Sequence, residues 1–231
     1  MNNLEFIAFY FLFYLLGRSL VILTFKNESP EEIEIFETKL FIFYPIFGVF
    51  SLSAIIFILN FLVPLKLYKN YLTILLLVLI LTNIKNFKFP NNKLFFITNY
   101  LVVPFIIAFS TYAIKFHYDS EAYHLLTQSW IINSKIVFGL TKFYMWLGHS
   151  SLYEYIQAYM TNNGNFIYQH YLNILFVVFF INFLYFHLIS KKDSSFFNVS
   201  LFIVIFGILD NFGVGGGSNK YKRISHNWFP I

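Results

Sequence analysis

The chain has 231 residues, of which 58% are hydrophobic, 23% aromatic and 12% charged, and it carries a formal net charge of +5. A soluble domain has roughly 25% charged residues, so a mean hydropathy of +0.64 with half that charge excludes an ordinary water-soluble enzyme and a disordered chain alike. The absence of cysteine excludes a disulfide scaffold, a thiolate metal site and a cysteine nucleophile.

A transmembrane helix needs about 20 mostly apolar residues to cross a hydrocarbon core ~30 Å thick. Leu4–Phe25 meets that length, interrupted only by Gly17 and Arg18. It is a poor cleavable signal, because Met1 to Glu5 has no positive residue and the apolar run is too long. Arg18 is costly in lipid and is expected to face the bundle or to snorkel. Leu40–Leu65 is the second span, with Pro45 in its first turns and Pro64 at its end. Tyr71–Ile84 is the third and is short. Leu94–Ile114 is the fourth, with a kink expected at Pro104. Phe166–Ile189 is the fifth; His170, Asn173, Asn182 and His187 recur near one stripe of it, suited to joining helices or lining a pathway. Phe196–Phe212 is the sixth and is again short, followed by a Gly-rich tail, 213–231. Gly213-Val-Gly-Gly-Gly-Ser-Asn-Lys220 has no glycine directly before its lysine, so it reads as a linker or turn and not as a phosphate-binding loop.

The predicted fold is therefore an all-α integral membrane protein of about six transmembrane helices, forming a single polytopic domain over 1–231. The lysines lie singly between apolar runs, which fits loops beside a lipid bilayer and not a nucleic-acid footprint. Lys26, Lys39, Lys85, Lys88, Lys93, Lys191 and Lys192 fall on one side of the six-span arrangement; Lys66, Lys69, Lys220, Lys222 and Arg223 fall on the other. Lysine and arginine favour the inner side, which places the one long connection, 116–164, outside.

That connection holds five charged residues, Asp119, Glu121, Lys135, Lys142 and Glu154, and long loops in compact proteins carry function. Residues 119–135 have helical periodicity, with Gly139 as the expected end. Ala122, Leu125, Leu126, Ser129, Trp130 and Asn133 share one face; Glu121, His124, Gln128 and Lys135 share the other. A second helix is predicted over Leu152–Met160, opened by a Ser151-Leu-Tyr-Glu154 capping box and closed by Asn162-Asn-Gly-Asn165. Both helices are too short and too polar to span, so they are expected to lie in the interface. Read from spacing alone, Asp119 serves as a helix N-cap with Glu121 opposing the dipole, His124 as a packing histidine, and Trp130 as an interfacial anchor.

Tyr118-Asp119-Ser120-Glu121-Ala122-Tyr123-His124, followed by Trp130, Lys135, Gly139-Leu140 and His149-Ser150-Ser151, resembles a first-loop signature of GT-C-type polytopic membrane glycosyltransferases, which use polyprenyl-phosphate sugars. Within that class the likeness is to a bacterial inner-membrane branch with a later Asp-Asn-Phe-Gly, here Asp210-Asn-Phe-Gly213. The resemblance implies a multi-pass protein of the bacterial cytoplasmic membrane that moves a sugar from a polyprenyl-phosphate donor to an acceptor at the outer face. It implies Asp119 as catalytic base, with Glu121 and His124 in support. Lys135 would bind the donor phosphate, and Trp130, Tyr123 and His149 would line the substrate. No cofactor is expected, although Asp119-Ser-Glu121 resembles the two-acid pattern that holds a divalent metal in some members. The loop follows the fourth span, so three spans come before the one that the class places ahead of it, and the class continues for several spans more; both departures point to a fragment. The alternative readings are a transporter or flippase of lipid-linked or polar solutes, built on Arg18 and the polar stripe of the fifth span, and a membrane fragment without catalysis.

Overall fold

The computed structural model describes residues 3–25, 41–84, 96–108, 124–139, 142, 151–161 and 167–190. The chain divides into two compact units, Met1–His187 and Leu188–Ile231, and nearly every described residue belongs to the first. Among the described residues the structure is helical, with no strand. We number the helices α1 (Asn3–Thr24), α2 (Tyr44–Asn60), α3 (Leu65–Ile84), α4 (Val103–Ala108), α5 (Leu125–Asn133), α6 (Leu152–Met160) and α7 (Ile167–Ser190).

Among the described residues, three helical segments are long and apolar enough to cross a bilayer: Leu4–Thr24, Phe41–Asn60 and Leu65–Asn83. The fourth and fifth expected spans are represented by shorter apolar stretches, Thr98–Ala108 and His170–Leu184. The sixth expected span and the Gly-rich tail lie outside the described residues. The third span differs from expectation, because its helix starts at Leu65 and not at Tyr71. Lys66 and Lys69 sit in its first turns, where a lysine stem can lie along apolar surface while the ammonium reaches out. The second span stops at Asn60, five residues short of its expected end, and a turn through Phe61-Leu62-Val63-Pro64 reverses the chain. Pro64 lacks an N–H and disfavours helical geometry at Val63.

The expected kink at Pro104 takes the form of a π-turn over Thr98–Val102, in which the Val103 N–H reaches back five residues to the Thr98 carbonyl. A proline ring clashes with the carbonyl four residues before it; widening the preceding turn relieves the clash without breaking the helix. The turn also carries Asn99 and Tyr100 into the core, where the Tyr100 hydroxyl donates to the Phe41 carbonyl at 2.6 Å.

α1 and α2 run antiparallel and touch backbone to backbone. A Cβ placed on Gly17 would lie 1.8 Å from the Tyr44 carbonyl oxygen, and one on Gly48 would lie 2.4 Å from that of Phe13. In lipid, apolar surface alone does not drive helices together, so close approach at small residues does much of the work. Around this contact the core is aromatic: Phe6, Tyr10, Phe13, Tyr14, Tyr44 and Tyr100 are fully buried, with Tyr14 and Tyr100 packed edge to face at 4.7 Å. Arg18 is buried as well, which resolves its position in favour of the bundle interior.

The N-terminus of α7 joins that of α1 through Tyr168 and Tyr171, which donate to the two carboxylate oxygens of Glu5 at 3.0 and 3.2 Å. The start of α1, the end of α2 and the starts of α3 and α7 thus lie at one end of the bundle, and α5 and α6 pack against that end. Gly17→Ala should destabilise the protein in detergent by about 3 kcal/mol through forced separation of α1 and α2. Leu75→Ala, on the exposed face of α3, should change stability by less than about 0.5 kcal/mol; thermal unfolding of both variants checks the contrast.

Candidate functional site

The end of α5 is fastened to the bundle by one buried side chain, Asn60. Its amide nitrogen donates to the Ile131 and Ser134 carbonyls, both at 3.1 Å, and its own carbonyl accepts the Ile136 N–H at 2.9 Å. These bonds end α5 at Asn133, with Ser134 extended, so Gly139 does not close the helix as expected. Gly139 instead takes a positive φ of 86° in the turn that follows.

α6 covers the residues predicted for it, Leu152–Met160, but not with the predicted cap. Ser151 is the N-cap and makes no side-chain cap bond. Glu154 is buried and directs its carboxylate away from the helix start, so that Oε1 lies 2.8 Å from His124 Nδ1. A carboxylate removed from water needs such a partner, since its desolvation is costly. The His124 side chain remains 42% exposed while Glu154 is enclosed. This is the geometry in which a buried acid orients an imidazole whose other edge faces outward.

One turn further along both helices, Gln128 Nε2 donates to Gln157 Oε1 at 3.1 Å. Thr161 Oγ1 donates to the Gln157 carbonyl at 3.0 Å and reaches Gln128 Oε1 at 3.5 Å. The seam ends on α3, where Lys69 Nζ donates to the Thr161 carbonyl at 2.6 Å and lies 5.7 Å from the centre of the Tyr159 ring. Thr73 and Tyr159 share a hydrogen bond of 2.5 Å beside it. The expected sharing of a face by His124 and Gln128 is thus observed, but that face points into the protein, while Leu126, Ser129, Trp130 and Asn133 are exposed.

Of the residues proposed from sequence, His124, Trp130 and Lys135 are described. His124 lies in the seam. Trp130 is on the outward face, and Lys135 is exposed in the extended segment beyond α5, at the opposite end of that helix from His124. Asp119, Glu121, Tyr123 and His149 lie outside the described residues. Sequence reasoning missed Glu154, which was read as a cap, and also Lys69, Gln157 and Thr161. Their signal was the spacing 154, 157, 161 opposite 124 and 128, a helical repeat of polar side chains. Among the described residues no three His, Asp or Glu side chains converge as a metal site. In the fifth span, Asn182 donates to the Tyr10 hydroxyl and the Asn99 carbonyl, and Asn173 accepts from Tyr153, so both act between helices. The described residues define an all-helical structure with three apolar helices of spanning length and a polar helix pair at one end of the bundle. Comparison with protein-family models, curated proteins and solved structures gave no match to this chain.

Removing Asn60 strands two carbonyls, so Asn60→Ala should cost about 1–3 kcal/mol. Hydrogen exchange at Ile136 and along α5 should quicken about tenfold or more while the α1–α2 core is unchanged. A second prediction concerns the α6 tyrosines. Burial pushes the Tyr153 phenol up to about 12, partly offset by a hydrogen bond with Gln157. Burial, and then the Glu154 charge, raises Tyr155; burial raises Tyr159 against its bond with Thr73. An unfolded phenol ionises near pH 10. Stability should therefore hold below about pH 10 and fall as pH rises toward about 12. Thermal unfolding against pH reads this, and Tyr153→Phe should flatten the fall.

Proposed function

We propose that the chain is a multi-pass protein of a bacterial inner membrane and acts as a GT-C-like transferase on a polyprenyl-phosphate sugar, with its chemistry at the α5–α6 end of the bundle. The observation that carries this reading is the pairing of half-exposed His124 with buried Glu154 in a helix pair set against the ends of apolar helices. A lipid-linked donor presents its phosphate at the membrane surface, and that is where an interfacial helix pair lies.

In the reaction, the acceptor oxygen bonds to the anomeric carbon as the bond from that carbon to the phosphate oxygen breaks. The electron pair leaves with the phosphate, and the acceptor proton passes to a base. Asp119 is the base that the resemblance implies. His124 is oriented by Glu154, 2.8 Å from its Nδ1, and it supports Asp119 or takes the proton itself. Lys135 and Lys142 are the cations of the loop suited to a phosphate.

The test uses the full chain in vesicles supplied with polyprenyl-phosphate hexoses and measures release of polyprenyl phosphate. Wild-type protein should turn over, Asp119→Asn should abolish release, and His124→Ala and Glu154→Gln should each lower the rate about 10²–10⁴-fold. Undiminished turnover in all three variants, or none in the wild type, contradicts the reading.

A further inference from the structure

α5 is partly inverted relative to a helix on a soluble protein, with Ser129 and Asn133 exposed as well. Thr127, Gln128 and Ile131 are buried, while Leu126 and Trp130 are about 40% exposed. The inversion continues onto the neighbouring chain. The reversal between α2 and α3 has no polar residue between Asn60 and Lys66, and Phe61, Leu62 and Val63 are exposed, Leu62 by 73%. The segment after α5 is held to this turn by the Ile136–Asn60 backbone bond and by a Phe61–Phe138 ring contact at 6.3 Å, and it carries Phe138 with 83% of its surface open. An apolar patch of this kind marks a surface covered by something other than water.

Two features identify the cover. The patch runs on into the exposed apolar face of α3, Leu67, Tyr71, Ile74, Leu75 and Val78, on a helix long and apolar enough to cross a bilayer. It is also bordered by cations, since Lys66, Lys135 and Lys142 are exposed beside it, and Lys66 sits 3.5 Å from Asn133. Apolar rings flanked by lysines match the acyl and phosphate layers of one leaflet.

We propose that the α2–α3 turn and residues 135–138 form a lipid seat. In it Phe138 and Leu62 enter the acyl layer, and Lys66, Lys135 and Lys142 hold anionic phospholipid headgroups. The seat sinks α5 into the leaflet with its polar seam turned away from lipid. It rests on the apolar helices and not on the transferase reading, and it stands whether or not sugar transfer is found.

The chain has no cysteine, so Phe138→Cys carries a single label. The variant, tagged in detergent with an environment-sensitive fluorophore, is reconstituted with spin-labelled phosphatidylcholine or spin-labelled phosphatidylglycerol. The lipid-borne quenchers should act more strongly than aqueous iodide, and phosphatidylglycerol more strongly than phosphatidylcholine. Lys66→Gln, Lys135→Gln and Lys142→Gln should each weaken the phosphatidylglycerol preference about fivefold. Stronger quenching by iodide, or quenching by neither, overturns the seat as a water-facing or protein-covered surface. Equal quenching by the two lipids overturns the headgroup assignment. Leu62→Cys repeats the measurement independently if the first variant does not fold.

Discussion

Asn60 is the residue at which the end of α2 meets the end of α5. It is the last residue of α2, where a helix leaves carbonyls without partners, and its main-chain and side-chain groups are both committed across the junction. The oxygen receives Ile136, and the amide supplies Ile131 and Ser134. The partners are more than 70 residues away in sequence. In a low-dielectric setting each unmade bond of this kind is expensive, so the end of α2 fixes where α5 stops. That endpoint in turn sets the register of the α5–α6 seam.

The seam follows from the same constraint. A short helix pair set against the ends of apolar helices can solvate its polar side chains in water or turn them against one another. Here they are turned inward, as His124 with Glu154, Gln128 with Gln157, and Thr161 toward Gln128, with Lys69 of α3 on the Thr161 main-chain carbonyl. Leu126 and Trp130 of α5 take the outer face with Ser129 and Asn133, while Ile131 is buried. The tight Gly17–Gly48 contact and the buried Tyr and Asn groups show the same economy within the bundle, where backbone proximity and hydrogen bonds replace the hydrophobic drive. Glu154 is the extreme case, a carboxylate withdrawn from water and held against an imidazole that keeps part of its surface open.

The elements governed by local pattern were legible in the sequence. The i, i+3, i+4 recurrence from Leu152 to Met160 gave α6 with its observed ends, and the long apolar runs gave α1 and α7 to within a residue. What failed depended on distant partners or on the solvent. Lys66 and Lys69 interrupt the apolar count, so α3 was started late. Ser151 and Glu154 satisfy the spacing of a capping box, but the carboxylate finds His124 thirty residues earlier, and no local rule can announce that. Periodicity placed His124 and Gln128 on one face of α5 and Leu126, Ser129, Trp130 and Asn133 on the other, as observed, but it also placed Lys135 with His124, and Lys135 lies exposed beyond the end of the helix. His124 was legible as a candidate, whereas its carboxylate partner was not.

The central claim is that α5 and α6 lie side by side, in parallel, with Gln128 against Gln157. Because the chain contains no cysteine, a pair introduced at these positions has no competitor. Gln128→Cys with Gln157→Cys, oxidised in native membranes and read as a disulfide-linked peptide by mass spectrometry, measures this directly. The account predicts a ready crosslink at 128–157 and none when Ser129→Cys, on the outward face, replaces Gln128→Cys. Equal crosslinking of the two pairs, or none at 128–157, would contradict it.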